Sequence, residues 1–167
     1  MCEKAIDLFL QVKNPKERLI VFFLNACAKL ADQHSLNLAK EFLSKINSNY
    51  KTNKFILCTA ANMFLKCNEI KSAEDYISKM PTSDVKYGIL MKISNLKNEP
   101  EQTFDLYNQM KMDGFKSNLM IYLILINAST QIGIENICQK TVQEIPQDLL
   151  QNLSIQNALI DMWVRQI

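Results

Sequence analysis

A repeated segment of about 34 residues constrains the fold of this chain more than any other feature of its sequence. Five stretches share one helical pattern and end on an apolar residue: KAIDLFLQV, LAKEFLSKI, SAEDYISKM, QTFDLYNQM and ICQKTVQEI. Each has a small residue at the matching place, and these residues are 34, 34, 30 and 35 positions apart. They are Ala5, Ala39, Ala73, Thr103 and Cys138. Five other stretches interleave with these: LNACAKL, AANMFLKC, LMKISNLK, INASTQIG and LIDMWVRQ. One repeat is therefore predicted to be two helices joined by a short connection.

The repeat predicts an all-α fold, a right-handed α-α superhelical solenoid of helical hairpins. A single hairpin has apolar residues on two faces, and it buries both only by stacking on its neighbours. The small residues are expected where each second helix approaches a first helix. The pattern predicts ten helices. The predicted divisions are a partial repeat at 1–16, full repeats at 17–53, 54–84, 85–118 and 119–152, and a partial repeat at 153–167.

Both predicted partial repeats are halves of hairpins. Residues 157–167, NALIDMWVRQI, have the apolar spacing of an amphipathic helix, and no partner helix follows them in the sequence. Because half a hairpin exposes apolar surface, we expect this chain to be part of a longer repeat array, with open repeat ends that can self-associate.

Three turns carry local predictions. Asp113–Gly114 suits a left-handed helix end, because glycine adopts positive φ without strain. Asn98 lies two residues before Pro100 and is a candidate N-cap for the next helix. Asp32, Gln33 and His34 are predicted to form a short loop insertion.

Charge and composition exclude several functions. The net charge of +2 excludes a broad basic surface, so an anionic partner would need a local row of cations. The five cysteines are odd in number and include no Cys-x-x-Cys pair, which favours buried thiols in a reducing compartment. A membrane partner is not expected, because no apolar run approaches 18 residues.

The sequence does not favour an enzyme. Its one histidine, His34, is not part of a His-x-Glu motif, and no glycine-rich phosphate loop or zinc spacing occurs. We therefore expect no catalytic residue, no metal and no cofactor.

The amino-acid sequences of the repeats resemble those of the pentatricopeptide repeat family. NALIDMWVRQ is similar to the first helix of its short variant, and AANMFLKCNEIKSAEDYISKMPTSD is similar to that whole variant. FLNACAKLADQHSLNLAKEFLSKI resembles the long variant, and VKYGILMKISNLKNEPEQTFDLYNQMKMDGFKSN the standard one. The resulting order resembles the subclass with alternating standard, long and short repeats that is associated with organellar RNA editing.

The resemblance implies modular binding of single-stranded RNA, about one base per repeat, in organellar RNA processing or editing-site recognition. Two side chains read each base: the fifth residue of the first helix and the last residue of the repeat. The implied base-reading residues are Cys58 with Asp84, Gly88 with Asn118, and Asn157. The implied apolar wedges that hold a base are Phe55, Val85 and Met120, whereas Arg18 and Ser154 depart from that pattern. The long repeats have apolar Val21 and Leu123 at the fifth position, with Asn53 and Asn152 at their ends.

The hydrogen-bonding groups of these side chains predict which bases they prefer. A carboxylate only accepts hydrogen bonds, so Asp84 suits the ring N–H of uracil or guanine. Asn118 donates and accepts, which suits adenine or cytosine better. Cations also recur near the ends of first helices, where they would follow a phosphate backbone. They are Lys29, Lys66, Lys97 and Arg165.

Other interpretations stay open at this point. Cations near helix C-termini are favoured by the helix dipole without any ligand. The asparagines could serve only as caps or loop residues. The alternative function is a helical scaffold that binds protein partners and does not read RNA. The resemblance implies a mitochondrion or another organelle, but MCEKAIDLFLQV lacks the character of a transit peptide and leaves the cytosol open.

Overall fold

The computed structural model describes residues 2–165, and these form twelve helices and no strand. The helices are α1 (Cys2–Leu10), α2 (Glu17–Leu30), α3 (Gln33–Lys45), α4 (Ser48–Lys51), α5 (Lys54–Lys66), α6 (Ile70–Ser78), α7 (Asp84–Leu96), α8 (Pro100–Met112), α9 (Leu119–Ile132), α10 (Glu135–Glu144), α11 (Gln147–Leu150) and α12 (Leu153–Val164). The outer ends of the predicted partial repeats, residue 1 and residues 166–167, lie outside the described residues.

Ten of these helices match the predicted pairs, and the count of ten is wrong because two short helices were not foreseen. α4 and α11 have four residues each and lie after α3 and α10, within the predicted long repeats. The side chain of Asn47 starts α4 by accepting the N–H of Asn49 at 3.3 Å, and Pro146, with φ −58°, precedes α11. One helical turn is too short to show an apolar period, so the sequence pattern missed both.

The chain divides into two compact units, residues 1–81 and 82–167. In the first unit, α2 packs against α1, α3 and α5, and α5 packs against α6. In the second unit, α9 packs against α7, α8, α10 and α12, and α7 packs against α8. Within each unit the first helices (α2 and α5; α7, α9 and α12) therefore lie side by side, and the second helices (α1, α3, α6, α8 and α10) pack on them. This confirms an all-α helical repeat fold of the solenoid class.

The small residues occupy the close contacts between paired helices. Four of the five are fully buried: Ala39, Ala73, Thr103 and Cys138. Thr103 donates from Oγ1 to the Met91 carbonyl of α7 at 3.2 Å, which shows how near α8 lies to its first helix. The expectation is wrong for Ala5, which is exposed on α1.

Each long first helix in a complete hairpin ends at a residue with positive φ. These residues are Ala31 (φ 50°), Asn68 (φ 60°), Asn98 (φ 60°) and Gly133 (φ 67°). The left-handed turn redirects the chain while backbone N–H groups close onto the last carbonyls, as in Glu99 N to Ser94 O at 2.9 Å. Asparagine tolerates this conformation better than other residues with a side chain.

Two predicted turns were wrong and one is confirmed. Asn98 is the left-handed residue after α7 and does not cap α8, whose N-cap is Glu99. Asp32 is not in a loop insertion: its Oδ1 accepts the Ser35 N–H at 2.7 Å, so α3 starts directly after it. Gly114 has the expected positive φ, 81°.

Ala31 and Gly133 end the first helices of the two predicted long repeats and allow a reciprocal test. Because alanine is strained at positive φ, Ala31→Gly should raise the free energy of unfolding by about 0.5–1 kcal/mol after the entropy of glycine is subtracted. Gly133→Ala should lower it by a similar amount. Urea unfolding followed by circular dichroism measures both changes. Equal effects of the same sign would contradict the left-handed conformation of these two residues.

A carboxylate joins two second helices of the second unit. Glu144 of α10 accepts from the Tyr107 hydroxyl at 2.9 Å and from Lys111 Nζ at 3.1 Å, both on α8. The hydrogen bond from Lys111, followed by that from Tyr107, holds the pKa of Glu144 below its ordinary value. Burial is the first cause that raises the pKa of Tyr107 to about 12.

This contact predicts a pH-dependent stability. Since the folded pKa of Glu144 is depressed, its contribution is complete above the ordinary glutamate pKa and is lost as the pH falls through the folded value. Glu144→Gln should therefore reduce the free energy of unfolding at pH 7 by up to about 1 kcal/mol and by less at pH 3. Glu101→Gln on exposed α8 surface is the control for removing one negative charge. A deficit that stays constant with pH would contradict the role of the carboxylate.

Candidate nucleic-acid interface

The N-caps of the first helices provide a common register for the predicted site. These N-caps are Lys16, Asn53, Ser83, Asn118 and Asn152. Oδ1 of Asn118 accepts the N–H groups of Met120 at 3.0 Å and Ile121 at 3.2 Å, and Asn53 caps α5 in the same way. Positions can therefore be counted from the N-cap in all five helices.

The predicted wedges share the second position after the N-cap. The side chains of Phe55, Val85 and Met120 are 56%, 45% and 59% exposed. Lys54 Nζ lies 5.1 Å from the centre of the Phe55 ring. Arg18 and Ser154 take this position in α2 and α12 and are also exposed. Three of the five first helices therefore present an apolar side chain to solvent at the second position.

The fifth position carries three of the predicted base-reading residues. Cys58 is half-buried in α5, where burial raises the pKa of its thiol and keeps it neutral at pH 7. Asn157 is exposed on α12. Gly88 of α7 faces α9, since a Cβ added there would lie 3.2 Å from Cδ1 of Ile121. The glycine therefore allows two neighbouring first helices to approach closely.

Asp84 and Asn118 do not occupy equivalent places. Asn118 is an N-cap, whereas Asp84 is the first residue of α7 and Ser83 is the cap, accepting the Lys86 N–H at 3.2 Å. Ser83 is thus the structural counterpart of Asn53 and Asn118. Cys58 belongs to the first unit, and Asp84, Gly88, Asn118 and Asn157 belong to the second.

The predicted cations are all exposed at the C-terminal ends of first helices. Lys29, Lys66 and Arg165 lie at the thirteenth position after their N-caps, but Lys97 lies at the fourteenth. Leu96, which is 50% exposed, takes the thirteenth position in α7, and Gln131 takes it in α9. Arg165 Nε donates to Asp161 Oδ1 at 3.0 Å.

The ninth position is a polar row that the sequence analysis missed. Its members are Asn25, Asn62, Lys92, Asn127 and Asp161. The fifth, ninth and thirteenth residues follow one another at i, i+4 spacing and so share one face of each first helix. We call this face the polar stripe. The signal was present in the sequence as a recurring Asn four residues after the fifth position.

The part of the chain that the structure describes offers no metal centre: no three His, Cys, Asp or Glu side chains are grouped so as to bind an ion. Among the same residues, every helix is too short or too polar to cross a membrane.

Paired helices in successive hairpins, with equivalent surface positions on each first helix, define an α-helical repeat protein. No family model matches the chain. Three curated Arabidopsis thaliana proteins are similar to it, each described as pentatricopeptide repeat-containing. The first is 24% identical over 153 residues, which are 90% of this chain and 22% of that protein. The second is 26% identical over 137 residues (78% and 19%), and the third 21% over 169 residues (97% and 20%).

Together with the hairpin fold, these relatives support the pentatricopeptide repeat family for this chain. The chain spans about a fifth of the length of these relatives. The alternation of standard, long and short repeats stays a prediction.

Proposed function

We propose that this chain binds single-stranded RNA along its first helices, about one base per repeat, in organellar RNA processing or editing-site recognition. The observation that carries the proposal is the common register of the first helices. An exposed apolar side chain occupies the second position in α5, α7 and α9. A cation occupies the thirteenth position, at the end of the polar stripe, in α2, α5 and α12, and α5 has both features. RNA-binding repeats that read one base each need such equivalent positions.

The exposed apolar positions suit the faces of bases. Phe55, Val85 and Met120 remain substantially exposed although apolar side chains gain by leaving water. A base that packs against such a side chain supplies that burial, and an aromatic ring such as Phe55 also stacks on it. These three residues are the proposed wedges.

The base-reading residues differ in what they offer. Because Oδ1 of Asn118 accepts two backbone N–H groups, its Nδ2 is the group left to donate, which suits N1 of adenine or N3 of cytosine. Gly88 has no side chain, so Asn118 carries the reading of that repeat. Asp84 would accept from uracil or guanine, Cys58 would be a weak neutral donor, and Asn157 would read in the last repeat.

The proposed phosphate contacts are Lys29, Lys66, Lys97 and Arg165. A phosphate backbone attracts such cations, and the entropy of released counterions favours binding. The proposed location is a mitochondrion or another organelle. We propose a binding role without catalysis, metal or cofactor.

A protein-binding scaffold is the second candidate, because the second unit has an apolar groove. The groove, of about 540 Å³, lies between α8 and α10, and its lining includes Phe104, Leu125 and Ile137. A partner side chain or helix could fill such a groove.

Removing the cations tests the RNA proposal. The fourfold change of Lys29, Lys66, Lys97 and Arg165 to Gln should weaken binding to every single strand and reduce the salt slope by about 0.7 for each lost phosphate contact. The matched control changes four exposed lysines of second helices, Lys4, Lys45, Lys71 and Lys140, to Gln. Both variants lower the formal net charge from +2 by four, to −2.

Fluorescence anisotropy with short single-stranded RNAs at several salt concentrations measures these changes. Equal weakening by the two variants would show that overall charge, and not the proposed row, governs binding. If the parent binds no strand at low salt but binds peptides through the α8–α10 groove, the scaffold function is correct.

A second pair of variants tests base reading at the boundary between two predicted repeats. If Asp84 reads a base, Asp84→Asn should shift preference from uracil or guanine towards adenine or cytosine at one position, with little change in total affinity. Ser83→Asn, which keeps a capping side chain, should then leave the preference unchanged. A change with Ser83→Asn alone would assign the reading to the N-cap. Titration against RNAs that differ at one base measures both.

A further inference from the structure

The ninth-position side chains lie between the fifth position, which is proposed to face the base, and the thirteenth position, which is a cation in α2, α5 and α12. In α5, Nδ2 of Asn62 donates to Sγ of Cys58 at the fifth position, at 3.6 Å. In α9, Oδ1 of Asn127 accepts from Nε2 of Gln131 at the thirteenth position, at 3.0 Å. A hydrogen bond thus links the ninth residue to the fifth in α5 and to the thirteenth in α9.

In a nucleotide, the ribose lies between the base and the phosphate, just as the ninth position lies between the fifth and the thirteenth. If the base lies at the fifth position and the phosphate at the thirteenth, the ribose that joins them lies over the ninth. Successive positions of the stripe are about 6 Å apart along the helix, since each residue rises about 1.5 Å. The group that distinguishes RNA from DNA, the 2′-hydroxyl, is therefore within reach of the ninth side chain.

We propose that Asn25, Asn62 and Asn127 contact the ribose 2′-hydroxyl and make the chain select RNA over DNA. The inference rests on the proposed function and adds a specificity row to it. None of the three residues belongs to the base-reading, wedge or cationic sets.

The hydrogen-bonding capacity of the two bonded amides fits this partner. Asn62 uses a donor toward Cys58, so its Oδ1 accepts from a hydroxyl. Asn127 uses Oδ1 toward Gln131, so its Nδ2 donates to a hydroxyl. A 2′-hydroxyl both donates and accepts, and it satisfies either arrangement. Asn25 is exposed on α2.

The other two first helices differ at this position. Asp161 of α12 accepts from Arg165 at 3.0 Å, and Lys92 is a half-buried cation on α7. The proposed contact is therefore confined to α2, α5 and α9. Two of these three helices, α2 and α9, have apolar Val21 and Leu123 at the fifth position, so a contact to ribose gives them a function independent of the base.

The test compares an RNA with the same strand in 2′-deoxy form, with uracil kept in both. The variant is Asn25→Ala, Asn62→Ala and Asn127→Ala together, and the control is Asn37→Ala, Asn108→Ala and Asn136→Ala on second helices. Alanine favours helix more than asparagine does, so the fold should be retained, and circular dichroism checks this. Anisotropy titration at low salt gives all affinities.

The parent should bind the RNA about tenfold more tightly than the deoxy strand, as expected for one or two net hydrogen bonds. The triple variant should lose that preference by weakening on RNA alone, and the control should keep it. Equal binding of both strands by the parent, or equal weakening on both by the variant, would overturn the inference while leaving single-strand binding in place. Failure of the parent to bind either strand would overturn the proposed function as well.

Discussion

The close packing of each second helix on its first helix is the contact on which the rest of the structure depends. It is possible because one small residue per repeat lies fully buried at the point of approach, as with Ala39, Ala73 and Cys138. A large side chain there would separate the helices and remove the surrounding apolar contacts. The first helices are thereby held side by side within each unit, and their outer faces remain available for a ligand.

Polar groups inside the second unit strengthen this arrangement. Asn95 of α7 donates to the Ile124 carbonyl of α9 at 2.9 Å and accepts from Thr103 of α8 at 2.6 Å. Gln131 of α9 donates to the Asn95 carbonyl at 3.1 Å. These bonds join three helices, and they satisfy groups that would be costly to bury alone. An apolar contact tolerates sliding, whereas directional bonds specify how far one helix lies along another.

Much of the fold followed from the sequence because a period of about 34 residues repeats. Apolar spacing and buried small residues recur together, so one correct pairing predicts the others. The failures were local. Ala31 adopts positive φ between α2 and α3 and donates its N–H to the Cys27 carbonyl, although alanine gives no such signal in the sequence. The one-turn helices α4 and α11 have no apolar period at all.

By itself, the sequence determined that the chain is built from helical hairpins, which residues are small at the contacts, and that cations recur near the ends of first helices. Only the tertiary structure decided the register of the surface positions. Repeat lengths vary, so counting along the chain aligned Asp84 with Asn118 and Lys97 with Lys66. Counting from the N-caps instead aligns Ser83 with Asn118 and Leu96 with Lys66. The folded chain likewise decided which side-chain atoms are already hydrogen-bonded, as in Asn118, Asn62 and Asn127. Hydrogen bonds depend on distance and direction, and sequence spacing contains neither.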